Sequence, residues 1–253
     1  MFNKAIVRKP CRNLVNGLTS ANQGKPDYTL ALNQHKRYIE ALKECGLVVT
    51  VLEADENYPD STFVEDTALL TPYCAIITNP GASSRNGEII EMSQILKNFF
   101  SKIEYIEASG TVEAGDVMMA GKHFYIGISG RTNLDGATQL MNILEKYGFT
   151  GSIVNVGKTL HLKSGVSYLE KNNLLAAGSF IEKAEFREFN LIPVDDDESY
   201  AANCLWINDK VLIASGFPKT KEKIKKAGYS TIEIDVSEFR KLDGGLSCLS
   251  LRF

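Results

Sequence analysis

The sequence predicts an α/β protein of five repeated units grouped around a pseudo-fivefold axis. Three observations carry that reading. An apolar strand, a turn, a helical stretch and a second apolar strand recur five times along the chain. The helical stretches place apolar residues three and four apart, as in Leu140, Ile143, Leu144 and Tyr147, which gives each one buried face. Between the copies lie five linking segments, each with a further short strand and most with polar residues at corresponding places.

The first copy is AIVRKP at 5–10, a helix over 28–46 and LVVTVLE at 47–53. The second runs through CAIITNP at 74–80, EIIEMSQILKNFF at 88–100 and KIEYIE at 102–107. HFYIGIS at 123–129, a helix over 133–149 and GSIVNV at 151–156 form the third. The fourth is shorter, with NLLAAGSF at 173–180, a helical AEFREF at 184–189 and NLIPV at 190–194. The fifth has KVLIASGFP at 210–218, a helix over 219–229 and STIEIDV at 231–237. Gly46, Gly148 and Gly228 stand near helix ends, where a left-handed cap favours glycine. The linking segments are 63–70, 111–119, 160–169, 200–207 and 245–253, so each unit reads strand–strand–helix–strand. If their strands line the centre, polar residues far apart in sequence share one pocket. An ordinary open α/β sheet with regular spacing is the competing arrangement. No Pro/Ser-rich linker divides the chain, so residues 1–253 are expected to form a single domain.

Composition narrows the function classes. Twenty-eight basic residues against 31 acidic ones give a net charge of -3, which offers no reason to expect nucleic acid or a membrane surface as partner. The start, MFNKAIVRKP, lacks the apolar stretch of a secretory signal, and no run is long enough to span a membrane. Cys11, Cys45, Cys74, Cys204 and Cys248 are odd in number and widely spaced, which suits reduced thiols in a cytoplasmic protein. No P-loop and no G-x-G-x-x-G after a strand supports a nucleotide cofactor, and no metal-ligand spacing is present. The acidic run DDDES at 195–199 lacks the spacing of a calcium loop.

Cys248 follows Gly244-Gly245 and is flanked by serines, which suggests backbone brought close to a ligand. Of three histidines, His35 reads as part of a solvated helix face and His123 as a turn residue. His161, in the linking segment LHLKSG, fits both a satisfied core histidine and a catalytic partner for a cysteine. Asp60, Glu65 and Asp66 in DSTFVED, and Glu113 and Asp116 in VEAGD, are acidic candidates that a solvated loop also explains. In a strand, Glu65 and Asp66 would point to opposite faces. Arg85 and Arg131 occupy equivalent loops of adjacent units; they are either solvated or a fork for a carboxylate. Carboxylates for a cation beside arginines for an anion suit a zwitterionic, amino-acid-like substrate.

These segments together resemble the dimethylarginine dimethylaminohydrolases of the guanidine-modifying enzyme superfamily. The resemblance runs in order through GLTS (17–20), GKPDY (24–28), PDSTFVED, TVEAGD, HFYIG, GRTN, LHLK, NNLLAAG, ESYAANC and DGGLSCLSLRF, nearly the whole chain. It implies a fivefold pseudosymmetric α/β propeller of the pentein type. The implied activity is conversion of asymmetric dimethylarginine and monomethylarginine to citrulline plus dimethylamine or methylamine, without a cofactor or metal. By the same resemblance Cys248 is the nucleophile, His161 the general acid/base and Glu113 its supporting carboxylate. Glu65 and Asp66 match groups that engage the guanidinium, while Asp60 and the Leu18 carbonyl match contacts to the α-amino group. Arg85 and Arg131 match the pair that holds the α-carboxylate, and Leu242 an apolar contact. A homodimer is compatible with the family. Arginine deiminases are the nearest rival; they carry His-x-Asp where this chain has His161-Leu162-Lys163, and an extra helical domain for which it is too short. A binding protein on the same fold would have no need of the full cysteine, histidine, glutamate and arginine set.

Overall fold

The computed structural model describes residues Met1–Phe253. Five three-stranded sheets recur with one topology: a short antiparallel strand, a central strand, and a third strand parallel to the centre. In the first, β1 (Lys4–Arg8) pairs parallel with β2 (Val48–Leu52) and antiparallel with the C-terminal β15 (Leu251–Arg252). The second holds β3 (Ala68–Leu70), β4 (Ala75–Ile77) and β5 (Ile103–Tyr105). The third holds β6 (Val117–Ala120), β7 (His123–Ile128) and β8 (Thr150–Asn155). The fourth holds β9 (Val166–Tyr168), β10 (Asn173–Ala177) and β11 (Asn190–Val194). The fifth holds β12 (Leu205–Ile207), β13 (Lys210–Ala214) and β14 (Ser230–Ile234). This is an α/β fold of repeated units, as the apolar spacing predicts.

Helices α1 (Tyr28–Glu44), α2 (Glu88–Leu96), α3 (Leu134–Lys146) and α4 (Pro218–Lys226) make the parallel crossovers. Their starts are written locally. Asp27 and Asn133 accept from the backbone N–H groups of Leu30 and Gly136, and Pro218 supplies the first turn of α4. The acidic run at 195–199 serves α4 as well, since Glu198 accepts from the N–H of Lys219 and of Thr220 and from the Thr220 hydroxyl. Gly46, Gly148 and Gly228 follow helices at φ 88°, 77° and 94°. The fourth unit differs from expectation. AEFREF forms a short 3-10 turn, Ala184–Phe186, following another at Gly178–Glu182, so the fourth crossover is made of 3-10 turns rather than an α-helix.

Each linking segment opens with a 3-10 turn before its short strand: Val64–Thr67, Ala114–Asp116, Leu162–Ser164, Asp196–Ala202 and Ser247–Leu249. The polar candidates therefore lie in or beside turns rather than within strands. The turn at Val64–Thr67 touches those at Ser247–Leu249 and Ala114–Asp116, and contacts continue through Leu162–Ser164 to Asp196–Ala202. His123 opens strand β7 instead of occupying a turn, and its ring bonds the hydroxyls of Thr150 and Ser152. His35 is also placed differently from the sequence expectation. It is buried, because α1 turns that face onto Phe239 rather than to solvent. No helix is long and apolar enough to cross a membrane.

Candidate active site

Nine of the ten residues to which the family resemblance gives a role line one cavity of about 40 Å³: Leu18, Asp60, Asp66, Arg85, Glu113, Arg131, His161, Leu242 and Cys248. They come from every linking segment except that of the fifth sheet, from two strand-to-helix loops, from the chain near Leu18, and from the stretches just before the first and last linking segments that hold Asp60 and Leu242. Short turns are suited to this, since they aim side chains inward without committing them to a sheet face.

His161 is buried and extended just before its turn, and its Nε2 lies 2.8 Å from Glu113 Oε2. The Leu162 N–H donates to Asp116 Oδ1, which fixes the backbone behind the ring. Gly115 presses against the other ring edge; a Cβ there would sit 2.9 Å from His161 Nδ1. Burial alone would lower the histidine pKa, but Asp66, the bond to Glu113, and Asp116 overcome it and raise it to about 9. Glu113 moves the opposite way. Burial would raise its carboxyl, yet the hydrogen bond and charge of His161, with Arg85 and Arg131, hold it below the usual range. The pair is therefore imidazolium and carboxylate at neutral pH. Cys248 is partly buried at the end of this cavity. Burial, Glu65 and Asp66 push its thiol up to about 12, which favours the protonated sulfur at neutral pH.

The two arginines are not equivalent. Arg85 is buried and largely committed: Nε and one terminal nitrogen donate to Glu88, the other terminal nitrogen to Asp66 Oδ2 at 2.7 Å, with a further bond to the Phe63 carbonyl. Arg131 is more open, with a single ion pair, 3.5 Å from Glu113 Oε1. Asp60 accepts from the Leu18 N–H through both oxygens, at 3.0 and 3.2 Å, and thereby holds the segment over the cavity. Asp243 anchors that segment from the far end by accepting from Ser20 N–H and Oγ.

Glu65 is the candidate that does not line this cavity. Its side chain accepts from Lys163 Nζ at 2.6 Å, Ser247 Oγ at 2.8 Å and Arg252 at 3.3 Å, beside a separate and more apolar cavity of about 180 Å³. Sequence reading placed Asn203 among the polar residues of the linking segments but assigned no role to it, Lys163 or Ser247, the partners that complete this brace. Asn203 donates to the Lys163 carbonyl and Ser247 Oγ and accepts from Ser247 N–H, tying the histidine turn to the cysteine turn. The available signals were Lys163 two residues past His161, Ser247 next to Cys248, and Asn203 at the corresponding polar place of its own linking segment. Asp66, Glu113 and His161 bring one ligand atom each within 4.8 Å of the others, the geometry of a potential cation site. The pairs Arg85–Asp66 and His161–Glu113 already balance those charges.

Comparison with known proteins places this arrangement. The family model for eukaryotic N,N dimethylarginine dimethylhydrolases matches residues 19–250. The N(G),N(G)-dimethylarginine dimethylaminohydrolase of Pseudomonas aeruginosa is 57% identical over 254 residues, covering all of both chains. The chain belongs to the dimethylarginine dimethylaminohydrolase family. A second dimethylarginine dimethylaminohydrolase, from Streptomyces coelicolor, is 35% identical over 98% of this chain and 96% of its own. Among solved structures, a cysteine-to-serine variant of the Pseudomonas aeruginosa dimethylarginine dimethylaminohydrolase complexed with citrulline superposes with a TM-score of 0.99 at 56% identity, covering both chains fully. A histidine-to-glycine variant of a dimethylarginine dimethylaminohydrolase, solved as an adduct with S-methyl-L-thiocitrulline, matches equally well. The N-terminal domain of a cyanobacterial arginine dihydrolase shares the fold at 20% identity, with a TM-score of 0.89 over 98% of this chain and 96% of that domain.

Proposed function

We propose that this chain hydrolyses asymmetric dimethylarginine and monomethylarginine to citrulline plus dimethylamine or methylamine through a covalent intermediate on Cys248. The observation that carries the reading is the His161–Glu113 pair lining the same cavity as Cys248, with carboxylates and an open arginine around them. Family membership supports the same reaction. Asp66 faces the guanidinium, Asp60 and the Leu18 carbonyl the α-amino group, Arg131 and Arg85 the α-carboxylate, and Leu242 the apolar stem. Glu65 acts on the same end by charge.

The chemistry follows from the charges. A guanidinium is resonance-stabilised, so its carbon needs a strong nucleophile and a fixed plane. Substrate binding brings a cation against Asp66, while Glu65 acts by charge from outside the cavity; these are the two carboxylates that oppose thiolate formation, so the cation lowers the thiol pKa. The thiol releases its proton to solvent, the thiolate sulfur adds to the guanidinium carbon, and a C=N electron pair moves onto nitrogen. His161 Nε2 is held by Glu113, which leaves Nδ1 to protonate the dimethylamine nitrogen as the C–N bond breaks. The S-alkylthiouronium remains on Cys248. The neutral imidazole next takes a proton from water; its oxygen adds to the same carbon, the C–S bond breaks, and citrulline leaves.

The same reading includes a closed fivefold propeller formed by one domain over residues 1–253. Contacts between successive turns support it, as do the Asn203–Ser247 bonds that join the fifth sheet's turn to the first's. Reduced thiols, all five cysteines being free, fit a cytoplasmic setting. A homodimer remains part of the proposal by family analogy alone. The test is Cys248→Ser in a rapidly quenched reaction with dimethylarginine. Turnover should vanish while substrate binding persists, and mass spectrometry of the parent should place the adduct on Cys248. Substantial citrulline from the serine variant, or an adduct on Cys204, would reject the mechanism.

A further inference from the structure

The two-step reaction poses a traffic problem. An amine must depart and water must arrive while the arginine skeleton is still bonded to Cys248 and fills the cavity between Asp60 and Arg131. A second cavity, of about 50 Å³, meets the first only at His161, Asp243 and Cys248. The rest of its wall is polar or glycine, including Lys163, Ser164, Tyr200, Asn203, Ser247 and Gly245. A polar cavity holds water once it exceeds roughly 10–15 Å³, so this one has room for water or a small amine. Gly245 helps shape it: a Cβ there would lie 2.5 Å from Asn203 Oδ1. Ser164, Tyr200 and Asp243 also line an outer groove of about 430 Å³. The small cavity therefore shares wall residues with both the substrate cavity and this wider groove.

Building on the dimethylargininase reading above, we propose that this second cavity is the subsite for the leaving amine and the hydrolytic water. Both exchange with solvent past Ser164 and Tyr200 while the arginine skeleton occupies the first cavity. The amine nitrogen receives its proton from His161 at the junction of the two cavities. Water then takes the vacated space, with the same imidazole as its base.

Ser164 sits at the doorway and has no part in the proposed chemistry, so Ser164→Leu is the direct probe. Quenched-flow mass spectrometry should show Cys248 adduct formation nearly unchanged and adduct decay slowed about tenfold, with kcat and KM falling together. Equal slowing of formation and decay, or no change in decay, would overturn the proposal. Ser164→Thr provides a smaller obstruction and should give an intermediate decay rate if the leucine variant folds poorly. The unmodified protein supplies an independent readout. Isotopically labelled dimethylamine added during turnover should enter the adduct-bound state, appear in recovered dimethylarginine, and inhibit non-competitively against substrate. Purely competitive inhibition without label incorporation would put the amine in the arginine cavity and reject the subsite. Absence of any adduct in the parent would instead reject the covalent mechanism itself, so the two failures are distinguishable.

Discussion

His161 and His35 are both buried, yet their pKa values move in opposite directions. His161 sits where turns from separate sheets meet, within reach of Glu113, Asp66 and Asp116, and rises to about 9. His35 lies on the inner face of α1 against Phe239, its Nε2 has no hydrogen-bond partner, and burial with Lys9 lowers it to about 4. Burial opposes the charged form in both places. Where carboxylates converge, they overcome that penalty and keep the ring protonated; where none does, burial and the Lys9 charge leave the ring neutral.

The largest test of this contrast is activity. His161→Ala should lower kcat by about 10²–10⁴-fold, the usual contribution of a positioned acid/base group. His35→Phe should leave kcat and KM close to the parent in the same citrulline assay. In the parent, kcat/KM should fall as pH rises through about 9, because deprotonated His161 cannot protonate the departing amine. A parent profile that stays flat across that range, with His161→Ala still active, would put the acid elsewhere.

The arginines offer the same comparison in cationic form. Arg85 holds Asp66 and Glu88 in a buried network, whereas Arg131 keeps donors free. Arg85→Ala strands two buried carboxylates, and the expected cost is about 3–5 kcal/mol of stability in urea unfolding. Arg131→Ala should change stability far less and weaken substrate binding by roughly 1.5–3 kcal/mol, seen mainly in KM. A methylguanidine without the carboxylate should barely register the Arg131 change. Equal impairment of full and truncated substrates would move Arg131 from recognition to support of the fold or the chemistry.

How much of this was legible in the sequence depends on the range of the interaction. The repeats were readable because apolar spacing and helix-ending glycines are local, as at Leu140–Tyr147 and Gly148. That Cys248, His161 and Glu113 share one cavity was readable in outline because they stand in polar linking segments whose turns converge. The environment of His35 was not, since only the packing of α1 against Phe239 removes it from water. Nor was the brace of Asn203, Ser247, Lys163 and Glu65, whose members come from four segments and meet only when the turns do. AEFREF misled for another reason: its pattern is helical, but the short crossover it fills is wound as successive 3-10 turns.

The smallest effect at neutral pH sharpens the histidine comparison most. A group's contribution to stability follows the difference between its folded and unfolded pKa. His161 is raised from 6.5 to about 9, so its contribution is full below pH 6.5 and disappears as pH rises through about 9. His35 is lowered from 6.5 to about 4; its neutral ring is tolerated above pH 6.5, and stability is lost as pH falls toward 4 because the unfolded chain takes the proton first. Across that acidic window the loss attributable to His35 is roughly 2–3 kcal/mol, on a scale of about 1.4 kcal/mol per pKa unit. His35→Phe should therefore flatten the decline in urea midpoint between pH 6.5 and 4, with the alkaline side unchanged. His161→Asn should alter the alkaline side between pH 6.5 and 9. If His35→Phe leaves the acid limb as steep as in the parent, the ring is reached by water or an unrecognised partner. The contrast between the two histidines would then fail at its apolar end.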